Sequence, residues 1–241
     1  MNSNVVDHSQ HISRRFNAEL EEIKSSMMEM GGIVEQQLHS AITALSETDS
    51  GIGKQVISED DEVDALEVKI DEECNLILAR RQPAASDLRL VLAIIKATRD
   101  LERIGDESSK IARAGVKLSE QGEFTQGMQE FKSLGEKVSK MVNMALDAFA
   151  RYDAESALQV AKADARVDDE YSVAMRSMIT YMMEDPHSIS SVLNVLWALR
   201  ALERIGDHAK NISEHVIYLV QGTDVRHEDL DKIASKVLPS E

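Results

Sequence analysis

Two pairs of carboxylates, each spaced by one helical turn, occur in a string that the 241-residue chain contains twice. The string LERIGD places Glu102 and Asp106 in its first copy, and Glu203 and Asp207 in its second. Residues four apart lie on one face of a helix, where two like charges destabilise the helix unless something offsets them. A hard cation is one such offset, because carboxylate oxygens suit Mg²⁺, Mn²⁺ and iron. The spacing therefore predicts bound divalent or ferric ions, with Mg, Mn, Fe and Zn left open as their identity.

Further carboxylates fall at equivalent positions upstream of the two copies. The string EDDEVD ends at Asp64 and corresponds to ADARVD, which ends at Asp168. On a helix, Asp60 and Asp64 flank the apolar stripe on one side, and Asp164 and Asp168 take the same angular positions. Asp100 adds a carboxylate in the first copy. The predicted metal ligands are Glu102, Asp106, Glu203, Asp207, Asp100, Asp60, Asp64, Asp164 and Asp168.

Arginines beside the repeated acids offer a metal-free alternative. Each acid of the string has an arginine three residues before it, namely Arg99, Arg103, Arg200 or Arg204. Ion pairs at this spacing also offset like-charge repulsion, and the acids then form a salt-bridged helix surface. In that case the protein is a metal-free helical adaptor whose acidic faces dock partner proteins.

The repeat extends well beyond the six-residue string and organises the whole chain. Residues 97–111 match 198–212 in the pattern AxRxLERIGDxxxxI, which indicates a duplicated unit of about 100 residues. Only three residues are Pro, and aromatic residues make up 4%. We predict an all-α fold of six long helices, forming two tandem, pseudo-symmetric three-helix bundles. The first bundle covers 1–120, the second covers 121–222, and a polar tail covers 223–241.

Apolar periodicity and turn residues set the predicted helix boundaries. Asp49 and Asp153 are placed to cap the second helix of each copy, Ser86 and Ser188 to cap the third, and Gly222 to end the last. The predicted helices cover 13–46, 50–81, 86–118, 129–151, 154–184 and 188–220.

Two glycines inside the predicted third helices need an explanation. Gly105 and Gly206 belong to the repeated string, and a mid-helix glycine costs roughly 1 kcal/mol relative to alanine. Packing against a neighbouring helix is the simpler explanation for them, and close approach of a partner or of a bound ion is the alternative.

Composition and charge exclude several classes of protein. The formal net charge is −16, and such a surface repels nucleic acid and anionic lipid. No apolar run approaches the ~20 residues of a membrane span, and the N-terminus is too polar for a signal peptide. The single cysteine, Cys74, is predicted to be a buried small hydrophobe in a reducing cytosol.

The sequence contains no pattern that indicates an enzyme. A Gly-rich phosphate loop and a nucleophile elbow are both absent from it. Glu184 and His187 give the Glu-x-x-His spacing of a di-iron helix once, but Pro186 places them in a turn. His208 and His215 lie seven apart on one helix face, where single histidines are more often surface residues than metal ligands. We therefore predict a non-enzymatic protein.

The duplicated motif, together with PAASDLRLV at 83–91 and YMMED at 181–185, resembles the PhoU family of phosphate-signalling regulators over nearly the whole chain. The family's metal motif maps onto Glu102–Asp106 and Glu203–Asp207, and some members bind multinuclear metal clusters. The resemblance implies negative regulation of the phosphate regulon. It also implies two partners, the ATPase subunit of the phosphate ABC transporter and the phosphate sensor histidine kinase. The expected location is cytoplasmic, peripheral to the inner membrane.

The two copies differ at positions that bear on these expectations. Asp100 corresponds to Ala201, and Glu107 corresponds to His208. Two metal sites built from these copies should therefore differ in affinity or nuclearity. Elongated bundles with apolar residues beyond the core stripe also predict self-association as a homodimer.

Overall fold

The computed structural model describes residues 3–122, 125–226, 232, 234 and 237, and it describes side chains from Arg14 onward. Within these residues the regular structure is entirely helical, which confirms the predicted all-α fold. A 3₁₀ turn, Pro186–Ser188, precedes the last helix. The six helices are α1 Ser3–Ser46, α2 Ser50–Arg81, α3 Ala85–Gln121, α4 Met128–Arg151, α5 Ala154–Glu184 and α6 Ile189–Gln221.

Local capping explains most helix ends. Asp49 accepts backbone hydrogen bonds at the start of α2, and Asp153 does the same for α5, as predicted. The backbone N–H of Gly222 donates to the carbonyl of Tyr218 at 2.8 Å, and its φ of +74° ends α6, also as predicted.

Of the two serines predicted to cap the third helices, Ser188 occupies the N-cap position and Ser86 does not, and neither caps its helix with its side chain. The N-cap position of α3 is occupied by Ala84, two residues before the predicted cap Ser86, and no side chain caps this helix. Ser188 lies at the N-cap position of α6, but its hydroxyl donates to the carbonyl of Asp185. The reason is that the 3₁₀ turn leads directly into α6, and Asp185 caps that turn by accepting from the backbone N–H of His187.

The helices pack as two three-helix bundles joined side by side. Helices α1, α2 and α3 form the first bundle, and α4, α5 and α6 form the second. Helix α3 also packs along α6, and α1 contacts α4, so one continuous core runs through both bundles. The Gln121 side chain bonds Ser190 and Ser191 at one end of the α3–α6 seam, and Arg89 donates to the carbonyl of Leu219 at the other. The two helices are therefore antiparallel.

The apolar stripes are buried in the core, as the periodicity predicts. On α2, Val56, Val63 and Ile70 are fully buried, and on α5 Val160 and Val167 are buried at corresponding positions. The methionines act mainly as core fillers: Met27 and Met141 are buried, and Met28 and Met144 are partly buried.

Two further predictions concern Cys74 and the tail. Cys74 is fully buried, and burial raises the pKa of its thiol to about 12, so it is an inert core side chain. Of the predicted polar tail, Val225 is buried, and Ala234 and Val237 pack against the core. Apart from Lys232, Ala234 and Val237, the tail residues after Arg226 lie outside the described residues.

Candidate metal sites

A short turn joins the second and third helix of each bundle, and it brings their acidic faces together. In the first bundle, Asp60 and Asp64 of α2 face Glu102 and Asp106 of α3, and we call these four residues the first acidic cluster. They lie close enough for their negative charges to repel one another: Asp60 and Asp106 repel Asp64, and Asp64 and Asp106 repel Glu102. The structure therefore unites two carboxylate pairs that are about forty residues apart in sequence.

The second bundle repeats the arrangement. Asp164 and Asp168 of α5 face Glu203 and Asp207 of α6, and we call these four residues the second acidic cluster. Asp164 and Asp207 repel Asp168, while Asp164 and Asp168 both repel Glu203. Eight of the nine predicted ligands are thus grouped in two equivalent clusters.

Burial and mutual repulsion disfavour the charged forms in the first cluster. Burial raises the pKa of Asp64, and the negative charges of Asp60 and Asp106 raise it further. Burial also raises the pKa of Glu102, and Asp106 adds to the rise, although Arg103 opposes it. These carboxylates lack sufficient positive charge around them.

The second cluster shows the same imbalance. Burial raises the pKa of Asp168, of Glu203 and of Asp207. The neighbouring carboxylates reinforce the rise, and Lys210 and Arg200 oppose it only in part.

Buried carboxylate oxygens in both clusters lack a hydrogen-bond donor among the described atoms. These oxygens are Glu102 Oε2, Glu203 Oε2 and Asp164 Oδ1. Arg103 Nε lies 3.2 Å from Glu102 Oε2, close enough for an ion pair but without hydrogen-bond geometry. Oxygen ligands with unsatisfied lone pairs and unbalanced negative charge fit a hard cation. As they stand, however, no three of the His, Cys, Asp and Glu side chains in the described residues are arranged to hold a metal ion.

The metal-free alternative is supported by some of its predicted ion pairs. Arg103 pairs with Asp106 at 3.3 Å, and Arg200 pairs with Glu203 at 2.7 Å. Two other pairs were predicted wrongly. Arg204 binds Glu107 of α3 at 2.9 Å, because α6 packs beside α3 and offers a buried carboxylate there. Arg99 forms no ion pair with Glu102 in the part of the chain that the structure describes.

Two side chains that the sequence analysis overlooked complete the clusters. Lys210 Nζ lies 2.7 Å from Asp164 Oδ2 in the second cluster, whereas the equivalent residue in the first bundle is the buried Ser109. Gln37 of α1 is buried and donates from Nε2 to Asp60 Oδ1 at 3.1 Å. The sequence offered two signals for these side chains. One is a lysine three residues after Asp207, and the other is a glutamine beside core positions of α1.

The mid-helix glycines lie beside these clusters. A methyl group at Gly105 would lie 3.1 Å from Gln37 Oε1 and 3.3 Å from Val63, and one at Gly206 would lie 3.3 Å from Val167. Close helix packing, the simpler of the two explanations, accounts for both glycines.

Asp100, the ninth predicted ligand, lies apart from the acidic clusters. It points into the α3–α6 seam, where it accepts from His208 Nδ1 at 2.8 Å, Asn211 Nδ2 at 3.1 Å and His215 Nε2 at 3.0 Å. Burial alone would raise the pKa of Asp100, but the hydrogen bonds from His208 and His215 outweigh it, and the pKa is lowered. The two histidines, expected at the surface, are largely buried partners of Asp100.

No described helix is both long enough and apolar enough to cross a membrane.

The comparisons with known proteins agree with the duplicated architecture. A family model described as the PhoU domain matches twice, at residues 27–115 and 131–216.

Curated relatives are similar over almost the whole chain. A phosphate-specific transport system accessory protein PhoU homolog from Pseudomonas putida is 59% identical, and the match covers 94% of this chain and 89% of the relative. The phosphate-specific transport system accessory protein PhoU of Escherichia coli K12 is 48% identical, with 93% and 94% covered.

Solved structures share the fold. The crystal structure of PhoU from Pseudomonas aeruginosa matches with a TM-score of 0.85 and 59% identity, over 86% of this chain and 100% of that one. The phosphate transport system regulatory protein PhoU from Streptococcus pneumoniae matches with a TM-score of 0.80 and 30% identity, over 87% and 99%.

Proposed function

The chain belongs to the PhoU family, and from this premise we propose that it is a negative regulator of the phosphate regulon. Its relatives are accessory and regulatory proteins of phosphate transport, and similarity over both repeats supports the same role here. The proposed protein is a cytoplasmic adaptor, held at the inner membrane by its partners. Those partners are the ATPase subunit of the phosphate ABC transporter and the phosphate sensor histidine kinase.

This role requires binding surfaces rather than a reaction. A rigid body of long helices, with one core through both bundles, can present separate faces to two partners at once. The proposal therefore assigns no catalytic residue to the chain. The predicted homodimer remains part of the proposal, and sedimentation at several protein concentrations tests it.

Deletion in a host that carries the phosphate transporter tests the regulatory role. We expect alkaline phosphatase expression to become constitutive in phosphate-rich medium, and the intact gene supplied in trans to restore repression. Repression that persists unchanged after deletion would contradict the proposal.

We also propose that the acidic clusters bind divalent or ferric ions. Glu102, Asp106, Asp60 and Asp64 would hold the cation of the first bundle, with the equivalent four carboxylates in the second. The donor-free carboxylate oxygens and the excess negative charge support this assignment. A bound cation would supply charge neutralisation between the second and third helices. Lys210 already supplies part of that charge in the second cluster, so we expect weaker metal binding there.

Amide substitutions separate the metalloprotein from the metal-free adaptor. The variant E102Q/D106N/E203Q/D207N should lose bound metal in elemental analysis and lose the rise in melting temperature that added Mn²⁺ gives the wild type. Without metal, its stability should change by less than about 1 kcal/mol per pair.

A matched control has the same four changes in charge outside the clusters. Glu21, Glu29, Glu136 and Asp147 are exposed, and their amide variant should retain the metal and the Mn²⁺-dependent shift. Equal metal content in the two variants would overturn the metal assignment. Metal loss with phosphate-responsive repression intact would make the site incidental to regulation and favour the metal-free adaptor.

A further inference from the structure

One side of the α3–α6 seam is filled by polar side chains. Asp100 binds His208 and His215 across the seam, as described above. Beside them Lys96 Nζ lies 5.5 Å from the centre of the Tyr218 ring. On this side the Asp100 network bridges the two helices through hydrogen bonds.

Two of the equivalent positions on the opposite side are occupied by much smaller residues. Because the repeats are offset by 101 residues and the seam is antiparallel, each residue of the filled side has a counterpart across it. The counterparts of Asp100 and His215 are Ala201 and Ala114, whose methyl groups occupy far less volume. A cleft of about 540 Å³ lies there, which is within the usual range for small-molecule sites.

The open cleft is strongly cationic, although the chain as a whole is acidic. Its cationic lining residues are Lys110, Arg113, Lys117, Arg200 and Arg204. Glu107 is the one carboxylate among the lining residues, so five positive charges against one negative charge leave +4 locally. The formal net charge of the chain is −16, but a charge more than about 8 Å away is largely screened at physiological salt.

Several of these cations are available to a ligand. Glu107 is almost fully buried. It accepts a hydrogen bond from Lys110 Nζ at 2.9 Å and forms an ion pair with Arg204 Nη1 at 2.9 Å, which holds both cations beside the cleft. Arg113 and Lys117 are exposed, one turn apart on α3, and neither has an ion-pair partner within the described part of the chain.

An aromatic ring completes the lining. Trp197 is 69% exposed and occupies the position that corresponds to Lys96 on the filled side. Indole is a large apolar ring that gains by stacking on a planar base, and cationic side chains at one turn's spacing suit phosphate oxygens. The cleft thus combines a stacking surface with unpaired phosphate-binding side chains.

We propose that this cleft binds a nucleoside polyphosphate. The base stacks on Trp197, and the phosphates bind Arg113 and Lys117 together with the cations that Glu107 holds in place. The local positive charge would repel a cationic ligand, and a neutral ligand would leave that charge unpaired. The chemistry of the cleft therefore excludes both. This proposal is independent of the regulatory role and of the acidic clusters.

Intrinsic fluorescence tests the proposal, because Trp197 is the only tryptophan of the sequence. The full-length protein is titrated with ATP, with EDTA present so that the acidic clusters take no metal. We expect saturable quenching, and an affinity that falls steeply from about 50 to about 200 mM salt. The variant R113E/K117E should bind ATP at least about tenfold more weakly. Its matched control K54E/K162E has the same change in net charge on exposed lysines of α2 and α5, and it should bind like the wild type.

The role of the base requires a second comparison, by isothermal titration calorimetry because the variant lacks the fluorophore. W197A should bind ATP about tenfold more weakly than the wild type, since base stacking contributes that order of affinity. Its affinity for inorganic tripolyphosphate should be unchanged. Tripolyphosphate binding as tight as ATP binding, with no effect of W197A, would overturn recognition of the nucleoside. The proposed site would be overturned if neither ATP nor tripolyphosphate binds, or if K54E/K162E loses as much ATP affinity as R113E/K117E. An acidic protein segment would then be the better occupant of the cleft.

Discussion

Asp100 and Glu102 are two residues apart on α3, yet their surroundings are opposite. Two residues correspond to 200° around a helix, so Asp100 faces α6 while Glu102 faces α2. Three donors from α6 surround Asp100 and lower its pKa, whereas burial near other acids raises the pKa of Glu102. A carboxylate group therefore stabilises one helix contact and destabilises another, according to the donors that the neighbouring helix supplies.

Asp100→Ala should destabilise the protein by about 2–4 kcal/mol in urea unfolding. The substitution leaves His208, Asn211 and His215 without their acceptor in a largely buried seam. Asp147→Ala is the control, because this aspartate is exposed and pairs with Arg151 at the surface. The control is expected to lose ~0.5 kcal/mol of unfolding free energy. If Asp100→Ala loses no more than that, the seam network contributes little to stability.

At the scale of the helix, the capping of its ends and its contacts with neighbouring helices determine which substitutions each helix tolerates. Asp153 caps α5 through hydrogen bonds from the backbone N–H groups of Glu155 and Ser156 and from the Ser156 hydroxyl. Gly115 of α3 lies so close to α1 that a methyl group there would be 3.0 Å from Leu45 Cα. Gly32 of α1 has no atom within 4 Å of the equivalent methyl position. The same residue type is thus required in one helix and dispensable in another.

The cap of α5 makes a pH-dependent contribution to stability. The hydrogen bonds from Ser156 lower the pKa of Asp153, so the ionised cap stabilises the fold above about pH 4. This contribution is lost as the pH falls through the lowered pKa. Asp153→Ala should cost about 1 kcal/mol at pH 7, and clearly less at pH 2 to 3, by chemical unfolding. A cost that does not depend on pH would show that the charge of the cap has no role.

Two glycine-to-alanine substitutions should have opposite effects. Gly32→Ala should stabilise the protein by up to about 1 kcal/mol, because alanine is the better helix former and space is open. Gly115→Ala should destabilise it by about 1–3 kcal/mol, since the clash is with the backbone of α1, which cannot rotate away. Thermal unfolding of the two variants measures both signs. Stabilisation by Gly115→Ala would mean that α1 and α3 are farther apart than described.

At the scale of the whole molecule, duplication gives two equivalent bundles, but the seam between them is not symmetric. One side holds the Asp100 network, and the other side is the cationic cleft beside Trp197. The two acidic clusters differ in the same way, because Lys210 neutralises part of the second and Ser109 replaces it in the first. Equivalent positions in the two copies have therefore acquired separate roles.

One continuous core predicts cooperative unfolding of both bundles. Trp197 fluorescence reports on α6, while far-ultraviolet circular dichroism reports on all helices. The two probes should give coincident urea transitions, because neither bundle can open without exposing the shared seam. Separate midpoints would mean that the bundles unfold independently.

Local sequence patterns were sufficient to predict the helices, the duplication and the grouping of acids within each cluster. Helical periodicity and capping by Asp49 and Asp153 are local properties, since residues within one or two turns of each other decide them. A short turn then requires consecutive helices to be neighbours, which was enough to group Asp60 with Glu102.

The residues that meet across the α3–α6 seam depend on how the helices pack, which local patterns do not specify. Periodicity identifies an apolar face, but it does not specify which polar residue at its edge will meet another helix, or in what direction that helix runs. Asp100 was therefore expected among the metal ligands, and Arg204 was expected to pair with Asp207 rather than Glu107. The cationic cleft was not predicted for the same reason. Its lysines and arginines come from two helices, and those on α3 precede those on α6 by more than 80 residues. Contacts of that separation depend on the packing of the complete chain, and no local pattern encodes them.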